Sequence, residues 1–176
     1  MTLQEVLAIA EECGFSHSGE MNVEKLELLD AVREMCAADR CKVYGHSWSC
    51  PPACGTLDDI RKAIAPYKCG VLVQTTGDLE DEFDIETIEE TGARHKENFL
   101  RFVEALHALG GSFYPMSAGT CTLCTPCAYP EPCRFPDKRL SSMEACGIFV
   151  SRICEDSGLP YYYGKNTMTY TSCVLF

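Results

Sequence analysis

Residues 121–134 read CTLCTPCAYPEPCR. Cys121, Cys124 and Cys127 are separated by two residues each, and Cys133 follows after a Pro-rich gap. Pro126, Pro130, Pro132 and Pro136 keep this backbone out of helix and central strand. A loop that crowds four thiols in this way is shaped for a thiolate-bound metal. Three cysteines at this spacing can take three corners of an iron-sulfur cubane while a more distant fourth closes it. A structural zinc site prefers two separated pairs that meet from different turns. The triplet therefore points to a [4Fe-4S] cluster on Cys121, Cys124, Cys127 and Cys133, with zinc as the alternative and disulfides or free thiols behind it. The match to the bacterial ferredoxin run is incomplete, because five residues intervene before Cys133, Pro132 precedes it and Arg134 follows it.

A second concentration of thiols lies upstream, where residues 36–55 read CAADRCKVYGHSWSCPPACG. Cys36, Cys41, Cys50 and Cys54 have four, eight and three residues between them, which matches no single ligand rule. Pro51 and Pro52 adjoin Cys50 as Pro adjoins cluster cysteines, and four thiols are enough for a second cubane. Zinc, or buried thiols with one reactive cysteine, are the other readings. Cys50 and Cys54 also resemble the opening of a radical-SAM triplet, but the third ligand would fall at Leu57, which excludes it. His46 reads as a loop residue, and Tyr44 and Trp48 as a shield that keeps water from a cluster. Cys13, Cys69, Cys146, Cys154 and Cys173 fall in apolar patterns, where free Cys behaves as a small hydrophobe.

The remaining sequence has enough substance to fold without these sites. A chain of 176 residues buries roughly 70% of its unfolded surface as one domain, 1–176, so its 13 cysteines exceed any structural need. No basic-then-apolar leader and no membrane-length apolar run is legible, so a soluble protein of the reducing cytoplasm is expected. There, cysteine clusters mean metal or redox chemistry more often than bridges. A formal charge of -11 argues against nucleic acid as a partner and suits docking on a basic protein surface.

Periodicity predicts a helix over residues 2–15 with Leu3, Val6, Leu7 and Ala10 inward, and a strand over 15–23. A helix over 24–36 with Leu28, Leu29, Val32 and Met35 inward follows. Thr56 with Asp59 caps a third helix, which starts beside Cys54 and ends at Pro66. GVLVQTT at 70–76 reads as a buried central strand. Residues 78–90 carry eight acidic residues and no basic one, a solvated face or an acidic docking surface. A helix over 94–109 stops at Gly110-Gly111, and a short strand over 112–117 delivers the chain to the later cysteine loop. Ser141 with Glu144 reads as a capping box opening a helix whose stripe is Met143, Cys146, Gly147, Val150, Ile153 and Cys154. Residues 167–176 form the last strand. The predicted architecture is α/β, a sandwich of about four strands with helices and two inserted cysteine loops.

These blocks also carry a resemblance. CKVYGHSWSCPPACG, then AGTCTLCTPCAYPEPCRFP with SSMEACGI, then YYYGKNTMTYTSCVLF, resemble a bacterial and archaeal family of cysteine-rich predicted metal-binding proteins, a domain of unknown function. The resemblance covers nearly the whole chain and implies metal binding through both cysteine blocks. More loosely, an opening helix leading to Gly14-Phe15 and a small-residue strand, joined to ferredoxin-like cysteines, is similar to iron-sulfur reductases that handle corrinoids. The expected function is an iron-sulfur electron carrier that meets a redox partner protein. The alternatives are an iron-sulfur reductase or lyase acting on a small molecule, and a zinc-stabilised interaction module.

Overall fold

The computed structural model describes residues 1–176. Its centre is the pairing of β2 (Gly70–Asp78) with β4 (Thr167–Leu175), antiparallel over all nine residues from Gly70 opposite Leu175 to Asp78 opposite Thr167. Val, Leu and Thr dominate both segments, and such side chains pack well on a pleated surface. β1 (His17–Glu20) adds to β2 and β3 (Tyr114–Met116) to β4, giving the order β1-β2-β4-β3. Every pair is antiparallel.

Successive side chains of a strand point to opposite faces, so this sheet has two cores. Val71, Val73 and Val174 pack with Val6 and Ala10 of α1 (Leu3–Glu12) and with Phe99, Phe102 and Leu106 of α4 (Ile85–Leu109). Leu72, Cys173 and Leu175 pack on the other side with Ile60 of α3 (Leu57–Ile64) and Ile153 and Cys154 of α5 (Val150–Asp156). Because both faces are covered, the central strand reads as an unbroken apolar run. The α/β expectation with four strands holds. Capping boxes close α1 at Thr2 with Glu5 and α3 at Thr56 with Asp59. No helix is long and apolar enough to cross a membrane.

Three elements differ from the sequence expectation. Helix α4 begins nine residues before Arg94, inside the acidic stretch, where the Asp84 side chain accepts from Thr87 N. The helix expected over residues 24–36 is shorter: a 3-10 turn at Val23–Lys25 precedes α2 (Asp30–Ala37), and Met35, expected inside, is 59% exposed. The helix expected from Ser141 is broken. Ser117 pairs with Ser142 in an isolated parallel bridge, Ser142 Oγ accepts from Ala145 N, and α5 starts only at Val150. Gly147 is the reason. It sits at φ +86 and its carbonyl accepts from Leu29 N at 2.8 Å, binding this turn to the segment before α2. The intended stripe survives as burial, because Met143, Cys146, Val150, Ile153 and Cys154 all enter one core.

On the α4 face, His95 is fully enclosed together with Thr75 and Ser172. His95 shares hydrogen bonds through Nδ1 with Thr75 Oγ1 at 2.9 Å and through Nε2 with Ser172 Oγ at 2.7 Å. Burial holds its pKa down at about 3.

Two outcomes follow from these placements. A Cβ at position 147 would stand 2.7 Å from Leu57 Cδ2 and 3.3 Å from the Leu29 backbone, at a φ that L residues avoid. Gly147→Ala is therefore expected to lose about 3 kcal/mol of stability by urea denaturation, from backbone strain and overpacking together. For His95, both states are neutral above the unfolded value near 6.5, and as pH falls below it only the unfolded chain takes the proton, until about pH 3. Between pH 7 and pH 5 the wild type should lose about 2 kcal/mol more stability than His95→Gln.

Candidate metal centre

The first cysteine loop joins α2 to α3 and the later one joins β3 to α5, yet they meet in space. Trp48 Nε1 donates to the Glu131 carbonyl at 2.8 Å, and its ring meets Tyr129 edge-on at 5.1 Å. Ser49 Oγ accepts from Cys121 N at 3.3 Å and lies 3.0 Å from Ser47 Oγ. Both serines are buried, so the Ser47–Ser49 segment is a clasp between the loops. Trp48, expected as a shield, is half-buried and fastens the later loop. The three cis prolyl bonds of the chain all lie in these loops, at Pro52, Pro126 and Pro130.

The four thiols of the first loop line two cavities, and beyond burial the Cys54 and Cys41 charges both raise the Cys50 pKa. Cys36, Cys41 and Cys50 line one cavity of about 300 Å³, which Asp39, Tyr44 and Glu144 also line. Burial raises the Cys36 thiol pKa, and Glu144 and Cys50 raise it further. Burial also raises Cys50, with the Ser49 and Ser47 hydroxyls opposing. Cys54 lines a different and larger cavity of about 730 Å³, together with Tyr114 and Arg139. Its thiol donates to the Ala145 carbonyl at 3.8 Å and accepts from Arg33 Nη1 at 3.6 Å. Burial pushes Cys54 up while Arg33 pulls it down. The adjacent end of α3 is already occupied: Asp59 Oδ2 accepts from Thr56 N at 2.9 Å and from Thr56 Oγ1 at 2.6 Å. The N-terminus of α3 beside Cys54 thus carries its own carboxylate in the capping box.

In the later loop, Cys121, Cys124, Cys127 and Cys133 are all half-buried. Burial pushes the Cys127 thiol up, and the Tyr129, Trp48 and Ala128 backbone groups with the Ser47 hydroxyl outweigh it, leaving its pKa lowered. Lys96 donates to the Thr120 carbonyl at 3.0 Å; its pKa is lowered by burial, and Cys121 opposes that shift. None of the 13 cysteines is in a disulfide. No three His, Cys, Asp or Glu side chains converge closely enough to hold a single metal ion.

Outside the loops, Cys13, Cys146, Cys154 and Cys173 are core residues as expected. Burial pushes Cys146 to about 12 and Cys154 to about 11. Cys69, expected inside, is exposed. His46 is exposed in the first loop, and His17 stacks on Tyr163 at 4.0 Å. Sequence reasoning missed Arg33, Arg139 and Glu144. Arg33 carries no local signal, yet Nη1 donates to the Ala145 carbonyl at 2.5 Å and Nη2 to the Gly55 carbonyl at 2.6 Å. Glu144 was visible in SSMEACGI but was read as a cap.

The profile of the family described as Predicted metal-binding protein (DUF2284) matches residues 19–176. The chain belongs to this family. In this predicted metal-binding protein, the matched span holds both cysteine loops and all of the sheet except the first two residues of β1. No curated protein and no solved structure matches the chain.

Arg33 ties α2 to the first loop and to the turn before α5, and its bonds to carbonyls are charge-assisted. Arg33→Leu is expected to lower stability by about 3 kcal/mol in urea denaturation, because two partly buried carbonyls lose their donor.

Proposed function

We propose that this member of the predicted metal-binding family holds a [4Fe-4S] cluster on Cys121, Cys124, Cys127 and Cys133 and relays single electrons to a partner protein. The observation that carries the reading is the later loop itself: four half-buried, unbridged thiols on one Pro-rich bend, clasped by Ser47–Ser49. Four thiols crowded on one loop, three of them two residues apart, are the donor pattern that an iron-sulfur cubane uses, which supports iron-sulfur over zinc. A zinc tetrahedron with bonds near 2.3 Å needs sulfurs about 3.8 Å apart. In a cubane each thiolate binds its own iron, so the sulfurs stand wider. Cys36, Cys41 and Cys50 are the thiols gathered for a second centre, with Glu144 at the same cavity.

When bound, a cluster supplies one-electron redox chemistry at a potential set by burial and by hydrogen bonds to its sulfurs. The chain's own part is to half-bury the thiols, to place N-H and O-H groups around Cys127, and to exclude water with Trp48 and Tyr129. A basic redox partner would meet the acidic stretch 78–90, where Phe83 and Ile85 stand exposed.

One observation favours a second reading, an enzyme that uses the centre on a small molecule: the cavity of about 730 Å³ that reaches Cys54. Its size falls within the range of small-molecule sites.

The test is chemical. Protein purified without oxygen should be brown, carry iron and acid-labile sulfide, and give an EPR signal on reduction. Cys124→Ser and Cys127→Ser should each lose most of that iron and sulfide while keeping the far-UV circular dichroism of the sheet. Colourless protein with stoichiometric zinc would sink the iron-sulfur reading and leave the zinc module.

A further inference from the structure

We infer that Cys54 is a substrate-facing thiol, and that the cavity it lines binds a small organic monocarboxylate with an apolar body. This deepens the enzymic reading and rests on it for any turnover; the binding itself rests on the cavity and its charges.

Four observations converge. Cys54 lines a cavity to which Cys36, Cys41 and Cys50 do not contribute, so its thiol faces a space of its own although it lies one turn from Cys50. Arg139 lines the same cavity and is half-buried, and its guanidinium makes no hydrogen bond and no ion pair within the chain. It only lies 5.7 Å from the Trp48 ring. A guanidinium presents a planar fork of donors that matches a carboxylate, and here that fork is unused. Behind Cys54 stands Arg33, again without a carboxylate partner, so two cations flank the thiol in a chain of net charge -11.

The walls set the rest of the ligand. Leu100, Val103 and Phe113 supply apolar surface for a hydrocarbon or aromatic body. Glu97, Glu104 and Asp137 also line the cavity, with Arg101 and Lys138 beside Arg139, so three acidic groups balance three basic ones and a ligand with several negative charges meets no cationic excess there. A monoanion anchored at Arg139 with its body along the apolar wall shares this cavity with the Cys54 thiol.

The experiment uses the full chain as isolated without oxygen, with its metal content measured before and after. Iodoacetate and iodoacetamide are compared as alkylating probes, and labelling of each cysteine is followed by peptide mass spectrometry. With either reagent the thiolate sulfur forms the new carbon bond and iodide leaves, so the ratio of the two rates reports the charge of the cavity and is independent of the thiolate fraction. Exposed Cys69 serves as the internal reference. Relative to Cys69, Cys54 should favour iodoacetate by about fivefold, the factor one opposite charge at contact gives in a water-like medium. Arg139→Gln should abolish that preference and Arg139→Lys should retain it, both without change in metal content. Benzoate should slow labelling of Cys54 and benzamide should not.

Equal rates with both reagents, or a preference that survives Arg139→Gln, would overturn the inference. Labelling of Cys54 only after the metal is stripped would make it a ligand and overturn the inference while leaving the metal reading intact. Metal-free protein that still shows the preference would sustain the inference and sink the metal reading.

Discussion

The nine-residue pairing of β2 with β4 is the constraint on which the other elements lean. Once these strands are in register, alternation sends Val71, Val73 and Val174 to one face and Leu72, Cys173 and Leu175 to the other. A slip of one residue would invert every assignment and expose both cores at once. The register therefore fixes where α4 and α1 lie, and on the opposite face where the turn at Met143–Gly147 and helix α5 lie. It also fixes where the short β3 edge can pair, and the later cysteine loop leaves from that edge at Ser117. The loops have little regular structure of their own. Their position is inherited from the sheet, and their mutual geometry from the clasp at Ser47–Ser49.

Charge is distributed against the overall balance. The chain carries 26 acidic and 15 basic residues, yet Lys96, Arg33 and Arg139, all half-buried, are the cations set beside thiols. Burying a thiolate away from water is costly without compensating charge or hydrogen bonds. The acidic residues concentrate elsewhere, in residues 78–90, so the excess negative charge repels little at the cysteine loops. Asp39 and Glu144 are exceptions at the first loop, and Glu144 is the one that acts on a thiol. It lines the cavity of Cys36, Cys41 and Cys50 and raises Cys36, which makes that site demand a cation more strongly than thiols alone would.

Much of this was legible in the sequence, for identifiable reasons. The strands announce themselves by β-branched runs bounded by glycine, and Thr56 with Asp59 forms its capping box because that motif is satisfied locally. Both cysteine blocks were visible as loops because proline forbids the regular alternatives. What failed depended on contacts distant in sequence. Residues 141–157 carry a helical stripe, and only the approach of Leu29 and Leu57 to Gly147 breaks it. Met35 falls on an apolar face by spacing, but α2 packs so briefly that this face is left in solvent at its end. Spacing grouped Cys54 with Cys50, but spacing cannot see Arg33 or the Ala145 carbonyl, both of which contact the Cys54 thiol.

The separation of Cys54 from its loop partners comes from a single turn. Cys54 N donates to the Cys50 carbonyl at 3.0 Å, so the two residues stand one turn apart along a short coil, where neighbouring side chains would ordinarily share a face. They do not, because the turn is wedged between two different walls. Buried Cys50 meets Ser49 and Ser47 on the side of the clasp, while Cys54 meets Arg33, Ala145 and Tyr114 on the side of β3. The same five residues thus contribute one thiol to the cavity shared with Glu144 and one to the cavity shared with Arg139. The two thiols still sense each other, because beyond burial a charge on Cys54 raises the Cys50 pKa, so the two cavities are coupled electrostatically across one turn.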